Sequence, residues 1–190
     1  MSQYEVIPLL VGSMKVNFET QTQLPESSSA TLLKGKHLVV IDTGSLSDQD
    51  SILKVLEQQA MSVGDVQYVV CTHSHADHKG NAGMFTKAKL IEPQSLYSTQ
   101  SFPMKLDDSI EIISTPGHTD QDLTVIVRNT KEGTVALTGD LFSCKEDLTS
   151  EWLWRDYSQN QVNQEQSRKT ILSIADFIVP GHGPMFKVIK

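Results

Sequence analysis

The chain has 190 residues, which is enough for one domain whose core needs no disulfide bonds, and its two cysteines fit a reducing compartment. Hydrophobic residues make up 38% and charged residues 21%, as in ordinary globular proteins. The formal net charge of −7 at pH 7 lacks the basic excess of proteins that make many phosphate contacts. No basic leader opens the sequence, and no apolar run approaches the roughly 20 residues needed to cross a bilayer, so we expect neither secretion nor a membrane partner.

The first half of the sequence predicts short strands, one helix and a further strand. Three runs before residue 45 favour strands: YEVIPLLVG, MKVNFET and KHLVVIDTG. The polar stretch LPESSSA, between the second and third of these runs, predicts a turn or surface loop. Apolar residues then recur at helical spacing behind a Ser/Asp cap, which predicts a helix from Ser47 that ends near Gly64. The run DVQYVVCTH predicts a buried strand.

The second half alternates strands with loops and closes on a helix and a strand. The strand-like runs are AKLIE, SIEIISTPG, DLTVIVRN, GTVALTGD and DFIVPGHGP. Residues from about 160 to 175 favour a helix with a Gln/Asn-rich exposed side and with Ile171, Leu172 and Ala175 facing inward. The sequence has no repeat, low-complexity tract or linker, so we predict a single α/β domain over residues 1–190.

The stretch CTHSHADHKGN, residues 71–81, places three of the six histidines and an aspartate within six positions. On an extended backbone the side chains of His73, His75 and Asp77 would face one way because they alternate. His78 breaks the alternation and joins them only if the chain turns at Asp77, which the glycine that follows permits. The segment therefore predicts a strand end that folds over into a helix and presents four metal-ligand side chains around one point.

Three more candidate ligands follow later strands, each beside a glycine: His118 in TPGHTD, Asp140 in LTGDLF and His182 in VPGHGP. A single histidine beside a glycine is usually a loop residue, but five of the six histidines at predicted strand ends, in an H-x-H-x-D-H arrangement, would require five coincidences. Imidazoles and carboxylates without a thiolate favour zinc, with iron and manganese as competitors. Seven ligands suit two ions better than one tetrahedral ion. We predict that one ion is held by His73, His75 and His118, the other by Asp77, His78 and His182, and that Asp140 bridges both.

The H-x-H-x-D-H motif, together with the later Gly-His, Gly-Asp and Gly-His pairs, resembles the metallo-β-lactamase superfamily from about Val6 to the C-terminus. This resemblance implies a four-layer αββα sandwich with metal ions in a cleft at one edge of its two sheets. Enzymes of the common β-lactamase type carry a cysteine where this chain has Asp140, so the resemblance argues against antibiotic hydrolysis.

The segments THSHADHKGNAGMF, GDVQYVV and QEQSRKTILSIADFIVPGHGPMFKV are more specifically similar to the metallo-β-lactamase domain-containing protein 1 family. The last segment lies mostly outside the metal motif and therefore distinguishes between subfamilies. This resemblance implies a zinc endoribonuclease that acts on the 3′ end of histone pre-mRNA, forms a homodimer, and resides in the cytoplasm and the nucleus.

A pair of metal ions would hold a bridging hydroxide that attacks a phosphorus atom or a carbonyl carbon. Asp77 would act as a catalytic residue that orients this nucleophile, and Asp42 either supports a ligand histidine or only caps its own turn.

Two alternatives stay open: a glyoxalase II-like thioesterase acting on a small ester or thioester, and a mononuclear iron dioxygenase. The cations are expected to be solvated surface charges rather than phosphate contacts: Lys79, Lys105, Lys145, Arg155, Arg168 and Lys169.

Overall fold

The structure, a computed structural model, describes residues 3–93 and 101–190. Within these ranges two mixed sheets face each other and a separate hairpin stands beside them. The five-stranded sheet has the order β1 (Glu5–Leu10), β4 (Ala30–Lys34), β5 (Leu38–Ile41), β6 (Tyr68–Val70) and β7 (Lys89–Ile91). The six-stranded sheet has the order β13 (Phe186–Lys187), β12 (Phe177–Pro180), β11 (Gly133–Gly139), β10 (Leu123–Thr130), β9 (Ile110–Ser114) and β8 (Met104–Lys105).

Strand alternation places the core between the two sheets. In β5, Val39 and Ile41 point inward and meet Val125 and Val127 of β10 in one buried cluster. Val40, between them, points to the opposite face, because successive side chains of a strand alternate. The strands are apolar on both faces, which is typical of sheets covered on both sides.

A helix covers the outer face of each sheet. The helix α1 (Gln49–Gln58) packs Ile52 and Leu56 against the outer face of the five-stranded sheet. The longer helix α4 (Gln161–Ile174) packs Ile171 against the outer face of the six-stranded sheet. Short helices α2 (Ala76–Lys79) and α3 (Trp152–Arg155) lie in the connections. The layer order is therefore helix, sheet, sheet, helix, and the predicted αββα sandwich is confirmed.

The predicted turn at LPESSSA is wrong. Residues Thr22–Ser27 form β3, which pairs with β2 (Ser13–Asn17) in an antiparallel two-stranded hairpin. Pro25 is tolerated there because both strands are edges, so a missing N–H can face solvent. The predicted helix after Ser47 is confirmed, but it ends at Gln58 rather than near Gly64. The left-handed backbone of Ala60, at φ 56°, follows that end.

The predicted helix near residues 160–175 is also confirmed, whereas its predicted exposed side is partly wrong. Gln164, Ser167 and Arg168 are buried. Arg168 is therefore not a solvated charge: its guanidinium donates to both carboxylate oxygens of Asp147, at 2.8 and 3.2 Å. It also donates to the Leu141 carbonyl at 2.7 Å. A guanidinium with these acceptors meets the hydrogen-bonding demand that burial imposes.

Among the described residues, no helix is both long enough and apolar enough to cross a bilayer.

Asp147→Ala is expected to lower the free energy of unfolding by about 3–5 kcal/mol, because it leaves the buried Arg168 charge without its partner. Urea denaturation followed by circular dichroism measures the loss. The matched control is Lys169→Ala on the same helix, which removes an exposed ion pair with Glu165 and should cost no more than about 1 kcal/mol. Equal losses in the two variants would contradict the assignment.

Candidate metal centre

The predicted ligands come from both sheets and meet at one end of the sandwich. His73 and His75 follow β6, and α2, which opens at Ala76, carries Asp77 and His78. His118 lies in the connection between β9 and β10, while Asp140 and His182 follow β11 and β12. Because β5 runs parallel to β6 and β11 runs parallel to β12, the carboxyl ends of these strands open on a common edge. The structure brings all seven predicted residues together there, in two groups.

The first group consists of His73, His75, His118 and Asp140. Nδ1 of His75 lies 3.0 Å from Nε2 of His73 and 3.1 Å from Nε2 of His118. Oδ2 of Asp140 lies 3.4 Å from Nε2 of His118 and 3.9 Å from Nε2 of His73. Four donor atoms thus surround one point, and His75 is the exposed member of the group.

The second group consists of Asp77, His78 and His182, and it also faces Asp140. Oδ1 of Asp140 lies 3.2 Å from Nε2 of His78 and 3.3 Å from Nε2 of His182. Oδ2 of Asp77 lies 3.6 and 3.7 Å from the same two nitrogens. Nε2 of His182 also lies 3.3 Å from Oδ2 of Asp140, so the carboxylate stands between the two groups, with Oδ2 toward the first and both oxygens within reach of the second.

The donor atoms fit a divalent metal ion. Metal–ligand bonds of about 2.0–2.1 Å around a tetrahedral zinc ion place the ligand atoms about 3.3 Å apart, close to the separations in both groups. Nε2 of His78 and Oδ1 of Asp140 are buried, and neither has a hydrogen-bond partner among the described residues. These atoms lie 3.2 Å apart without hydrogen-bond alignment, and a cation between them would satisfy both. The number of ions and their identity stay predictions.

Hydrogen bonds behind the cluster set the histidine tautomers. Nδ1 of His78 donates to Oδ2 of Asp42 at 2.9 Å, and Nδ1 of His182 donates to the Ser27 carbonyl at 2.9 Å. The Thr72 hydroxyl donates to Asp42 at 2.8 Å and can therefore accept from Nδ1 of His73 at 3.1 Å. Each Nδ1 thus carries the proton, and each Nε2 is free to bind a metal ion. Of the two alternatives for Asp42, the structure shows the contact with a candidate ligand histidine.

Burial and neighbouring charges separate the pKa values of the cluster. Burial, with help from neighbouring imidazoles, lowers the pKa of His73 well below its usual value and also lowers the pKa of His118. Burial acts in the same direction on His78 and His182, but the Asp140 carboxylate outweighs it and raises the pKa of each. His78 and His182 in turn hold the pKa of Asp140 well below its usual range, against the effect of burial. Asp140, the predicted bridging residue, is therefore an ionised carboxylate.

Two glycines beside the ligands allow close approach. A Cβ atom on Gly181 would collide with Oδ1 of Asp140, so only glycine lets the His182 loop pass the carboxylate. Gly139 has φ 50°, in the left-handed region that glycine adopts without strain, and this turn directs the next residue, Asp140, into the cluster.

Sequence reasoning missed the groups that hold the ligands from behind. The Ser27 carbonyl and the Thr72 hydroxyl have no pattern that marks them, because a backbone carbonyl is present at every residue and threonine is common in strands. The one sequence signal for Thr72 is its place at the end of a predicted buried strand, directly before the H-x-H motif, and the structure shows that it is buried.

Comparison with known proteins decides the family. A family model described as the metallo-β-lactamase superfamily matches residues 24–93. A relative from Xenopus laevis, named metallo-β-lactamase domain-containing protein 1, is 39% identical over 173 residues, which cover 85% of this chain and 73% of that protein. The chain belongs to the metallo-β-lactamase superfamily. Within the superfamily its sequence groups with the metallo-β-lactamase domain-containing protein 1 family, and it spans 60% of the human member at 38% identity.

Two solved structures share the fold. A crystal structure of a putative metallo-β-lactamase from Thermotoga maritima matches with a TM-score of 0.74 at 21% identity, over 97% of this chain and 99% of that one. A Bacillus thuringiensis structure with N-decanoyl-L-homoserine bound at the active site matches with a TM-score of 0.70 at 17% identity, over 95% and 93% of the two chains. Superfamily membership and the His/Asp cluster together support a metal-dependent hydrolase with a divalent metal site, for which zinc is typical.

Asp42→Asn is expected to lower zinc affinity about 10–100-fold, because an amide nitrogen facing Nδ1 of His78 no longer fixes the tautomer that frees Nε2. Competition with a chromophoric chelator measures the affinity. Asp50→Asn, an exposed change on α1, is the matched control and should bind zinc as the wild type does. Unchanged affinity in Asp42→Asn would show that this hydrogen bond does not support the site.

Proposed function

We propose that the protein is a metal-dependent hydrolase that cleaves RNA phosphodiesters, with the 3′ end of histone pre-mRNA as the substrate implied by its family resemblance. The observation that carries the hydrolase part is the position of the buried Asp140 carboxylate between two groups of ligand-type side chains, 3.4 Å from His118 on one side and 3.2 Å from His78 on the other. The RNA part is supported by the similarity of the segment 164–188 to the metallo-β-lactamase domain-containing protein 1 family. The homodimer and its location in the cytoplasm and nucleus belong to the same proposal.

Each group of residues has a separate task in this reaction. Bound divalent metal ions supply a nucleophile from water near neutral pH and stabilise the negative charge that develops on the attacked group. Asp77, whose side chain is 39% exposed, is the ligand carboxylate that reaches solvent, so its Oδ2 can accept a proton from an attacking water. Asp42 keeps the proton on Nδ1 of His78 throughout. The remaining ligands are buried apart from His75, which limits the approach of substrate to one side.

Two of the arginines are already paired with carboxylates, which reduces the number of phosphate contacts they can make. Arg168 is engaged by Asp147, and Arg155 donates to Glu151 at 2.8 Å and to Glu165 at 3.2 Å. Neither guanidinium is available to a phosphate without losing a carboxylate partner. With a net charge of −7, RNA binding should therefore be weak and only shallowly dependent on salt.

The second group of ligands also bears on the alternatives. A mononuclear iron dioxygenase needs one ion, whereas Asp77, His78 and His182 provide a complete set for another. A thioesterase or small-ester hydrolase would use the same residues as a nuclease, so substrate assays are required to separate these two. Metal analysis of protein purified without added metal distinguishes about two zinc ions per chain from a single iron.

The zinc-loaded protein is expected to cleave single-stranded RNA that carries a histone pre-mRNA 3′ end. Parallel reactions contain S-lactoylglutathione and an N-acyl homoserine lactone at matched concentrations. RNA products are resolved on sequencing gels and the other two reactions are followed by absorbance. Cleavage of the thioester or the lactone alone would exclude the nuclease proposal and leave an ester hydrolase.

Asp140→Ala is expected to give a folded protein with less bound metal and almost no turnover, because it deletes the carboxylate shared by the two groups. Circular dichroism tests the fold, and elemental analysis and the RNA assay test the site. Asp156→Ala, at an exposed position after α3, is the matched control and should keep the wild-type metal content. Full activity in Asp140→Ala would defeat the assignment of the centre.

A further inference from the structure

One face of α4 is polar and buried, and it contacts the main chain of two ligand loops. Gln164, Ser167 and Arg168 are spaced i, i+3 and i+4, so they lie on one side of the helix. Their side chains donate to backbone carbonyls: Ser167 to Pro116 at 2.9 Å and Arg168 to Leu141 at 2.7 Å. These carbonyls belong to the loops that carry His118 and Asp140.

Gln164 is the member of this face that touches both loops. Its Nε2 lies 3.3 Å from the Asp140 carbonyl and 3.4 Å from the Leu141 carbonyl, and the side chain is fully buried. Its main chain packs against Gly117, directly before His118, so closely that a Cβ atom on Gly117 would collide with it. Gly117 has φ 151°, and its carbonyl accepts from the Asn160 N–H at 2.9 Å at the start of α4. One residue therefore spans the distance between the two ligand loops.

The amide of Gln164 is only half satisfied. Oε1 of Gln164 is buried without a hydrogen-bond partner among the described residues, so only the donor half of the amide is used. An apolar side chain of the same length would remove this unpartnered oxygen but would also leave the Asp140 carbonyl without the Gln164 N–H as its donor. The retained function of the amide is its N–H donation to the carbonyls of Asp140 and Leu141.

We propose that Gln164 is a positioning residue that sets the separation of His118 and Asp140 in the first ligand group. It acts through the main chain of Asp140 and Leu141 and touches neither metal nor substrate. His118 and Asp140 place their donor atoms 3.4 Å apart, and this distance has to be kept for both to bind one ion. This inference rests on the proposed metal-dependent function, because it assumes that the cluster binds a divalent ion.

The test is cobalt binding by the full chain, followed by visible absorption and chelator competition. Gln164→Met keeps the length of the side chain and removes the donor. It is expected to weaken cobalt binding about tenfold and to shift the visible bands of bound cobalt, because outer hydrogen bonds to ligand residues have effects of this order. Gln166→Met, an exposed change on the same helix, should retain wild-type affinity and spectrum. Thermal unfolding of the metal-free proteins shows whether Gln164→Met is folded at the temperature of the cobalt titration, and a shifted cobalt spectrum in the folded variant is the readout that a merely structural role would not produce.

The outcomes separate this inference from the proposed function. If the wild type binds no cobalt, the proposed function fails. If the wild type binds cobalt and Gln164→Met matches its affinity and spectrum, only the role of Gln164 is overturned. If Gln164→Met does not fold, Gln164→Asn is measured instead, since it keeps the amide but shortens its reach. Weakened binding with a shifted spectrum in folded Gln164→Asn supports the proposal, and wild-type binding overturns it.

Discussion

The centre depends on one buried carboxylate. Asp140 is almost fully buried, and its carboxylate lies between two sets of imidazoles. A buried carboxylate is unstable without compensating positive charge, and here that charge has to come from protonated imidazoles or from metal ions. Asp140 raises the pKa values of His78 and His182, so their protonated forms are one source of that charge. With the Nδ1 protons held by acceptors behind them, the neutral forms of the same two imidazoles direct Nε2 lone pairs toward Asp140, and a divalent cation there is the other source.

Two glycines and the helix α4 hold the Asp140 carboxylate in its buried position. The glycine at 139 turns the chain so that Asp140 enters the cluster, and the glycine at 181 lets the His182 loop pass beside it. The backbone of the Asp140 loop is fixed in turn by α4 through the Arg168 and Gln164 donors. The ion pair between Arg168 and Asp147 extends this support, since Asp147 accepts from the Ser143 N–H and the Ser143 carbonyl accepts from the His182 N–H. The outer helix is therefore connected to the reactive end of the fold by polar contacts as well as by packing.

The parts of this structure that the sequence could predict are those with a local pattern. Apolar runs that end in Gly-His or Gly-Asp mark both the strands and the side chains that follow them, so the ligand candidates and the sandwich could be proposed together. The hairpin at Thr22–Ser27 could not be, because serines and a proline favour a turn unless a partner strand is known. The buried face of α4 could not be predicted either, since Gln164 and Ser167 donate to backbone carbonyls. Every residue has a carbonyl, so no sequence pattern marks these partners. Arg168 could be placed only once Asp147, 21 positions earlier, was seen beside it.

The ligands are drawn from both sides of the seam between the sheets. His73, His75 and His78 belong to the five-stranded side, whereas His118, Asp140 and His182 belong to the six-stranded side. An ion held by both would act as a cross-link that exists only while the two sheets are packed together. By mass action, a ligand at 100 times its dissociation constant adds about 2.7 kcal/mol to the stability of the form that binds it. Removing the ions would then lower the free energy of unfolding and weaken the packing between the two sheets, independently of any loss of catalysis.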